Sequence, residues 1–109
     1  MIKNVKIIPK YEDDEPREVA IDFPAYFRES NSSKIVKFTE DFTAIKCNGY
    51  TIEVVENVPV TVGLVDDIFM GKRSNSKEDF FRNLVSYFTR MLKYEEVIDA
   101  MDTAIEEML

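Results

Sequence analysis

The sequence contains no histidine, and this absence removes the side chain best suited to proton transfer near neutral pH. It excludes Ser-His-Asp and Cys-His nucleophile arrangements and every zinc site that needs an imidazole ligand. The only cysteine, Cys47, excludes an intramolecular disulfide and a four-thiolate zinc site within one chain. Because Cys47 lies in a predicted strand, we interpret it as a small packed residue, and we expect no enzymatic activity.

Glycine and proline are scarce, with three and four residues among 109, and 45% of the residues are hydrophobic. This composition is unlike that of disordered chains, and the length suffices for one domain with its own core. The apolar runs are only a few residues long, far below the ~20 residues that span a bilayer. We therefore expect a single domain over residues 1–109, without a membrane segment, in the reducing cytoplasm.

Neither the candidate phosphate loop nor the acidic clusters have the residue spacing that the corresponding binding motifs require. Gly71-Lys72-Arg73-Ser74 resembles a phosphate loop only superficially, because Asp66 stands where the Walker pattern needs glycine and Arg73 where it needs Ser or Thr. The acidic clusters at residues 12–15 and 66–67 do not match the EF-hand spacing. We expect no cofactor, no metal ion and no small-molecule ligand.

The charge is strongly acidic and unevenly distributed. The formal net charge is −7, which repels phosphate backbones, so we expect no direct binding of nucleic acid. Residues 76–93 are slightly basic, whereas residues 94–109 carry six acidic residues and no lysine or arginine. The predicted C-terminal helical region therefore consists of two electrostatically different halves.

The first two-thirds of the chain predicts a small antiparallel sheet of about five or six strands. Asn48-Gly49 suits a two-residue type I′ turn between two of them. A single helical turn is expected around Tyr26 and Phe27, and a second short one at residues 66–70. Strand-like composition or alternation occurs at residues 5–10, 17–23, 34–39, 43–47, 50–56 and 58–65.

Residues 17–23 show the clearest strand pattern. Val19, Ile21 and Phe23 alternate with polar or small residues, which is typical of a half-buried strand, and we expect it to pair back onto the first strand. Pro9 in the first strand lacks an N–H donor and indicates a position at the sheet edge.

The last third predicts helix. Ser76 is a suitable N-cap, with Asp79 placed to answer it, and no glycine or proline follows. We thus predict an α+β domain in which residues 1–70 are mainly β and residues 76–109 form one long helix or a helical hairpin. Apolar residues occupy every a and d position of an unbroken heptad pattern: Phe80, Leu84, Tyr87, Met91, Tyr94, Ile98, Met101, Ile105 and Met108.

The second half of this apolar stripe indicates partner binding. It is narrow and rich in methionine, whose side chain adapts to irregular partner surfaces. We hypothesise a non-enzymatic interaction module that binds another copy of the chain or a different protein; in the alternative interpretation, the same residues pack on the chain's own sheet. The residues of this seam are Tyr94, Ile98, Met101, Ile105 and Met108.

The acidic residues beside the seam support a different hypothesis. Carboxylates that stand in for a phosphate backbone can block the basic groove of a nucleic-acid-binding enzyme, as phage counter-defence inhibitors of similar size and charge do. A phage or bacterial assembly factor is a third hypothesis that the same adhesive helix allows. The acidic face comprises Glu95, Glu96, Asp99, Asp102, Glu106 and Glu107.

Overall fold

The structure is a computed structural model, and it describes residues 1–9, 11, 15, 17–91 and 103–108. The predicted α+β class is confirmed. Within this part of the chain, no helix is long and apolar enough to cross a membrane. The strands are β1 (Ile2–Ile7), β2 (Arg17–Asp22), β3 (Ala25–Arg28), β4 (Ile35–Phe38), β5 (Ala44–Cys47) and β6 (Ile52–Val55), and the helices are α1 (Val62–Met70), α2 (Ser76–Met91) and a segment at residues 103–108.

Strands β1 and β2 form a two-stranded antiparallel sheet, with Val5 opposite Val19. Ile21 and Phe23 are buried and Val19 is half-buried, so the predicted alternation and the pairing are confirmed. The first strand begins and ends earlier than predicted, since Pro9 lies beyond β1. The ladder of β1 consists of residues 2–7, all of which can donate a backbone N–H group.

The other four strands form a second antiparallel sheet in the sequential order β3-β4-β5-β6. The expectation of one sheet with five or six strands is therefore wrong. Pro24 has no N–H group to donate to a ladder, so it separates β2 from the next strand. That strand, β3, pairs with β4 instead of continuing the first sheet. The helical turn predicted around Tyr26 and Phe27 is also wrong. Both residues belong to β3 and pair with β4, so their side chains face opposite sides of the sheet.

The four-stranded sheet carries a hydrophobic cluster on each face. All four residues of β4 are buried, as expected for an inner strand covered on both sides. The face toward α2 contributes Ile35, Ile45 and Cys47, which pack with Phe80. The opposite face packs with β1, β2 and α1 through Val5, Ile21, Phe23, Phe27, Val36, Phe38, Ala44, Val60 and Ile68.

The last predicted strand, at residues 58–65, is wrong: residues 58–60 belong to no strand, Thr61 makes only an isolated bridge with Ile8, and α1 begins at Val62. Thr61 caps α1, and its side-chain oxygen accepts a hydrogen bond of 3.2 Å from the backbone N–H of Leu64. Apolar residues at 60, 64, 65 and 68 then suit a helix face as well as a strand, and the cap decides between them. The region expected to be mainly β thus ends in a helix that covers the sheet.

The linker between α1 and α2 is fixed to β3. The carbonyl oxygen of Gly71 accepts a 3.0 Å hydrogen bond from the N–H of Arg28. Ser76 is buried, and its hydroxyl accepts a 2.9 Å bond from the N–H of Arg73 within the linker rather than from the first turn of α2. The predicted capping role of Ser76 is therefore replaced by a role in closing the linker.

Residues 103–108 return to the sheet. Met108 packs against the cluster that contains Phe80. One continuous helix would separate these residues by about 42 Å at 1.5 Å per residue, so it is incompatible with the contact. The alternative in which the chain packs back on its own sheet holds for residues 103–108.

Candidate functional site

The predicted seam is partly described. Ile105 and Met108 are both half-buried, and Met108 contributes to the chain's own core. Together with Ala104 they form the less exposed side of the helical segment at 103–108. Tyr94, Ile98 and Met101 lie outside the described residues.

The acidic face is described at two of its six positions. Glu106 and Glu107 are both exposed, so their carboxylates are accessible to a partner. Glu107 also lines a cleft together with Met108. Glu95, Glu96, Asp99 and Asp102 lie outside the described residues.

A cation–π pair lies at the end of α2. The guanidinium carbon of Arg90 lies 4.1 Å from the ring centroid of Tyr50, which precedes β6. Tyr50 and the neighbouring Met91 are 62% and 56% exposed. We call Tyr50, Arg90 and Met91 the end patch.

The turn before β6 positions Tyr50. The side-chain oxygen of Asn48 accepts 2.9 Å hydrogen bonds from the backbone N–H groups of Tyr50 and Thr51. No glycine in the described chain has a positive φ, so the predicted type I′ turn is wrong although the hairpin is confirmed. The asparagine side chain replaces the left-handed backbone of that turn with an Asx-type hydrogen-bonding arrangement.

Sequence reasoning did not find the end patch. Tyr50 and Arg90 are far apart in the sequence, and only the packing of α2 on the sheet brings them together. An exposed tyrosine in a turn and an arginine at a helix end are each ordinary features. The pair could have been found from the knowledge that α2 covers the β5–β6 hairpin, because Tyr50 lies at the turn of the hairpin and Arg90 lies at the end of α2.

A cleft of about 300 Å³ lies between the sheet and the segment at 103–108. The segment at 103–108 therefore contributes side chains both to the core cluster that contains Phe80 and to this cleft. Its walls combine apolar groups with one hydroxyl, two carboxylates and two amines, which are the side chain of Lys37 and the N-terminal ammonium of Met1. The other lining residues are Phe23, Pro24, Met108, Thr39, Glu40 and Glu107.

Lys37 is the buried cation of this cleft. It is 3% exposed in the inner strand β4, with Tyr26 and Ile45 as its cross-strand neighbours. Burial lowers the pKa of its amine, and the nearby charge of Lys77 lowers the pKa further. Four ion pairs form in the part of the chain that the structure describes, and Lys37 belongs to none of them.

Cys47 is packed as predicted. It is fully buried, and its Sγ donates a 3.5 Å hydrogen bond to the carbonyl oxygen of Phe80. Burial raises the pKa of the thiol to about 12, so the thiolate is not populated at neutral pH. The residue joins the sheet to α2 and supplies no nucleophile.

Residues 1–9, 11, 15, 17–91 and 103–108 include no group of three or more acidic or cysteine side chains that could hold a metal ion. Of the acidic clusters considered from the sequence, Asp66 and Asp67 belong to α1. Positions 12–14 of the other cluster lie outside the described residues.

No protein-family model, no curated protein and no solved structure matches this chain.

Proposed function

We propose that the protein is a non-enzymatic interaction module that binds a second copy of its own chain through the end patch and the adjoining seam. The observation that supports this most directly is the exposed Tyr50–Arg90 stack beside Met91. Tyrosine, arginine and methionine are the residue types enriched at the buried centres of protein interfaces.

The stack is favourable for binding because its side chains are already ordered. Arg90 rests on the ring of Tyr50, and Asn48 holds the backbone of Tyr50 through its hydrogen bond. A side chain that is fixed before association loses less conformational entropy when a partner covers it. The pair therefore offers a large contact area at a small entropic cost.

The seam extends this surface along the sequence. Met91 belongs to the heptad stripe, which continues through Tyr94, Ile98 and Met101. Since Met108 packs on the chain's own core, we assign it the role of an anchor and place the contact on Met91 to Met101. Apolar heptad stripes pair with one another, which is why a second copy is the partner proposed.

The experiment measures solution mass by light scattering after size exclusion. Ile98→Glu and Met101→Glu should remain folded and reduce the mass to that of the monomer, because a carboxylate in an apolar contact is desolvated without a partner. Phe69→Glu is the matched control, since Phe69 is an exposed apolar residue on α1, and it should leave the mass unchanged. Unfolding of the seam variants would show that the seam is internal core.

Salt distinguishes this proposal from simple charge attraction. Two copies that each carry a net charge of −7 repel one another, and added salt screens that repulsion. Association through the apolar surface should therefore strengthen as salt rises. Weakening with salt would contradict the proposal.

The exposed carboxylates of Glu106 and Glu107 favour one second candidate, an acidic inhibitor that occupies the basic groove of a nucleic-acid-binding enzyme. Such binding would weaken steeply with salt and would compete with DNA or RNA. The double variant Glu106→Gln with Glu107→Gln should weaken it without changing the fold. Capture that is unaffected by nucleic acid would exclude this candidate.

A further inference from the structure

We propose that Lys37 is a covalent binding site for a small uncharged aldehyde or ketone, which the lysine amine captures as an imine in the cleft beside residues 103–108. The cleft of about 300 Å³ lies at the low end of the range for small-molecule sites, about 300–1,000 Å³. This site is separate from the end patch and does not depend on the proposed self-association.

The position of Lys37 is fixed by the sheet. Its backbone lies in β4 between cross-strand neighbours Tyr26 and Ile45, so its side chain leaves a rigid inner strand. The side chain of Lys37 is 3% exposed. Among the described residues, every side-chain nitrogen that is completely buried has a hydrogen-bond partner. We infer that the amine keeps its access to the outside through the cleft that Lys37 lines.

The surroundings favour a neutral amine. Burial disfavours the ammonium form, and the like charge of Lys77 adds to this effect, so the pKa of Lys37 is lowered. Glu40 and Glu107 also line the cleft, but neither forms an ion pair with Lys37. A desolvated lysine beside another cation is a known way of making the amine nucleophilic at moderate pH.

The walls indicate which carbonyl compound fits. Phe23, Pro24 and Met108 provide apolar contact for a short carbon chain. The N-terminal ammonium of Met1 also lines the cleft, but it is paired with the carboxylate of Asp22 at 3.0 Å. The carboxylates of Glu40 and Glu107 form no ion pair with a described residue, and they make the cleft unfavourable for anions such as keto acids because like charges repel. The ligand class is therefore an uncharged carbonyl compound rather than a carboxylate or a phosphate ester.

The chemistry requires no further reactant. The lone pair of the neutral amine attacks the carbonyl carbon, a C–N bond forms, and the C=O π electrons move to the oxygen, which takes up a proton. The carbinolamine then loses its hydroxyl group and a nitrogen proton as water, which leaves the imine. One amine and one carbonyl compound give one imine and one water, with no change of oxidation state.

The test measures site-resolved labelling. The folded protein is incubated with propionaldehyde and cyanoborohydride, whose hydride reduces each imine to a stable secondary amine, and the labelled lysines are quantified by peptide mass spectrometry. Near pH 7, Lys37 should be labelled about fivefold faster or more than the exposed Lys3 and Lys6, because more of its amine is neutral. The advantage should shrink at high pH and disappear in concentrated urea.

Two controls make the result decisive. Lys37→Met should remove the fast site and leave the labelling of Lys3 and Lys6 unchanged, and it keeps the apolar contacts of the buried stem. Glyoxylate, an anionic aldehyde of similar size, should label Lys37 with a smaller advantage than propionaldehyde does. Labelling of Lys37 at or below the rate of the exposed lysines at every pH would overturn the proposal, as would an equal advantage for glyoxylate.

Discussion

Met108 packs against the hydrophobic cluster that contains Phe80, although both residues belong to one uninterrupted heptad pattern. The contact shows that the pattern does not correspond to one straight helix. The two ends of the apolar stripe share a single core, so substitutions at the far end of the chain should affect the stability of the sheet.

Met108→Ala is therefore expected to lower the free energy of unfolding by about 1–2 kcal/mol, less than for a fully buried methionine because Met108 is half-buried. Glu106→Ala, on the exposed side of the same segment, is the matched control and should change it by less than about 0.5 kcal/mol. Urea unfolding measures both. Equal and negligible effects would mean that Met108 does not pack on the core in solution.

Gly71→Ala should destabilise the protein by about 1–3 kcal/mol. A Cβ at this position would collide with the carbonyl oxygens of Arg28 and Asp67, which are backbone atoms with no freedom to move aside. Gly63→Ala is the opposite case, because a Cβ at this position in α1 would make only an ordinary contact of 3.9 Å with Thr61 Oγ1, and alanine favours helix by about 0.5–1 kcal/mol. Thermal unfolding should move the two variants in opposite directions, and a stabilised Gly71→Ala would contradict the close approach.

Glu29 should give a stability contribution that depends on acid pH. Its carboxylate accepts a 2.7 Å hydrogen bond from Lys46 and a 2.8 Å bond from Ser32. Burial alone would raise the pKa of Glu29, but the bonds from Lys46 and Ser32 outweigh it and hold the pKa below its usual value of 4.5. The contribution is therefore present above pH 4.5 and is lost as pH falls through the folded-state pKa.

Glu29→Gln should lower the free energy of unfolding by about 1 kcal/mol at neutral pH, and the difference from the parent protein should disappear at low pH. Urea unfolding across the acid range measures this. Glu56→Gln, at an exposed position, should show no such convergence. A constant difference between Glu29→Gln and the parent at every pH would show that the ion pair is not responsible.

Cys47 should resist labelling by thiol reagents in the folded protein and react rapidly in concentrated guanidinium. The thiol is fully buried, and its pKa is raised to about 12. The measurement is the rate of thiol labelling followed by absorbance or mass. Fast labelling under native conditions would require an opening of the α2–sheet contact that the structure does not show.

The elements with strong local patterns were predictable. The alternation of Val19, Ile21 and Phe23 identified β2, and the segment through Asn48-Gly49 identified the β5–β6 hairpin. For β2 the period-2 pattern coincides with a strand that is buried on one side, and for the hairpin the turn residues mark where the chain reverses.

The errors have one physical cause, which is that short apolar segments suit more than one structure. Residues 58–65 have strand composition, yet the hydrogen bond from Leu64 to Thr61 starts a helix. Tyr26 and Phe27 form a strand because β4 is available to pair with them, which is a tertiary fact that local propensity does not contain.

The candidate sites depend on tertiary contacts more than the strands and helices do. Tyr50 and Arg90 come together only through the packing of α2, and Lys37 reads in the sequence as an ordinary polar residue of a strand. Its burial follows from its place in the inner strand β4, on which α2 packs. A single sequence carries no signal for that packing.

The measurement that tests the central claim most directly is sedimentation equilibrium of the unmodified protein over a range of concentrations, beside Met91→Glu. The account predicts an average mass that rises above 12.7 kDa with concentration for the parent chain and stays at 12.7 kDa for the variant. A parent chain that remains at 12.7 kDa at every concentration and every salt would contradict it.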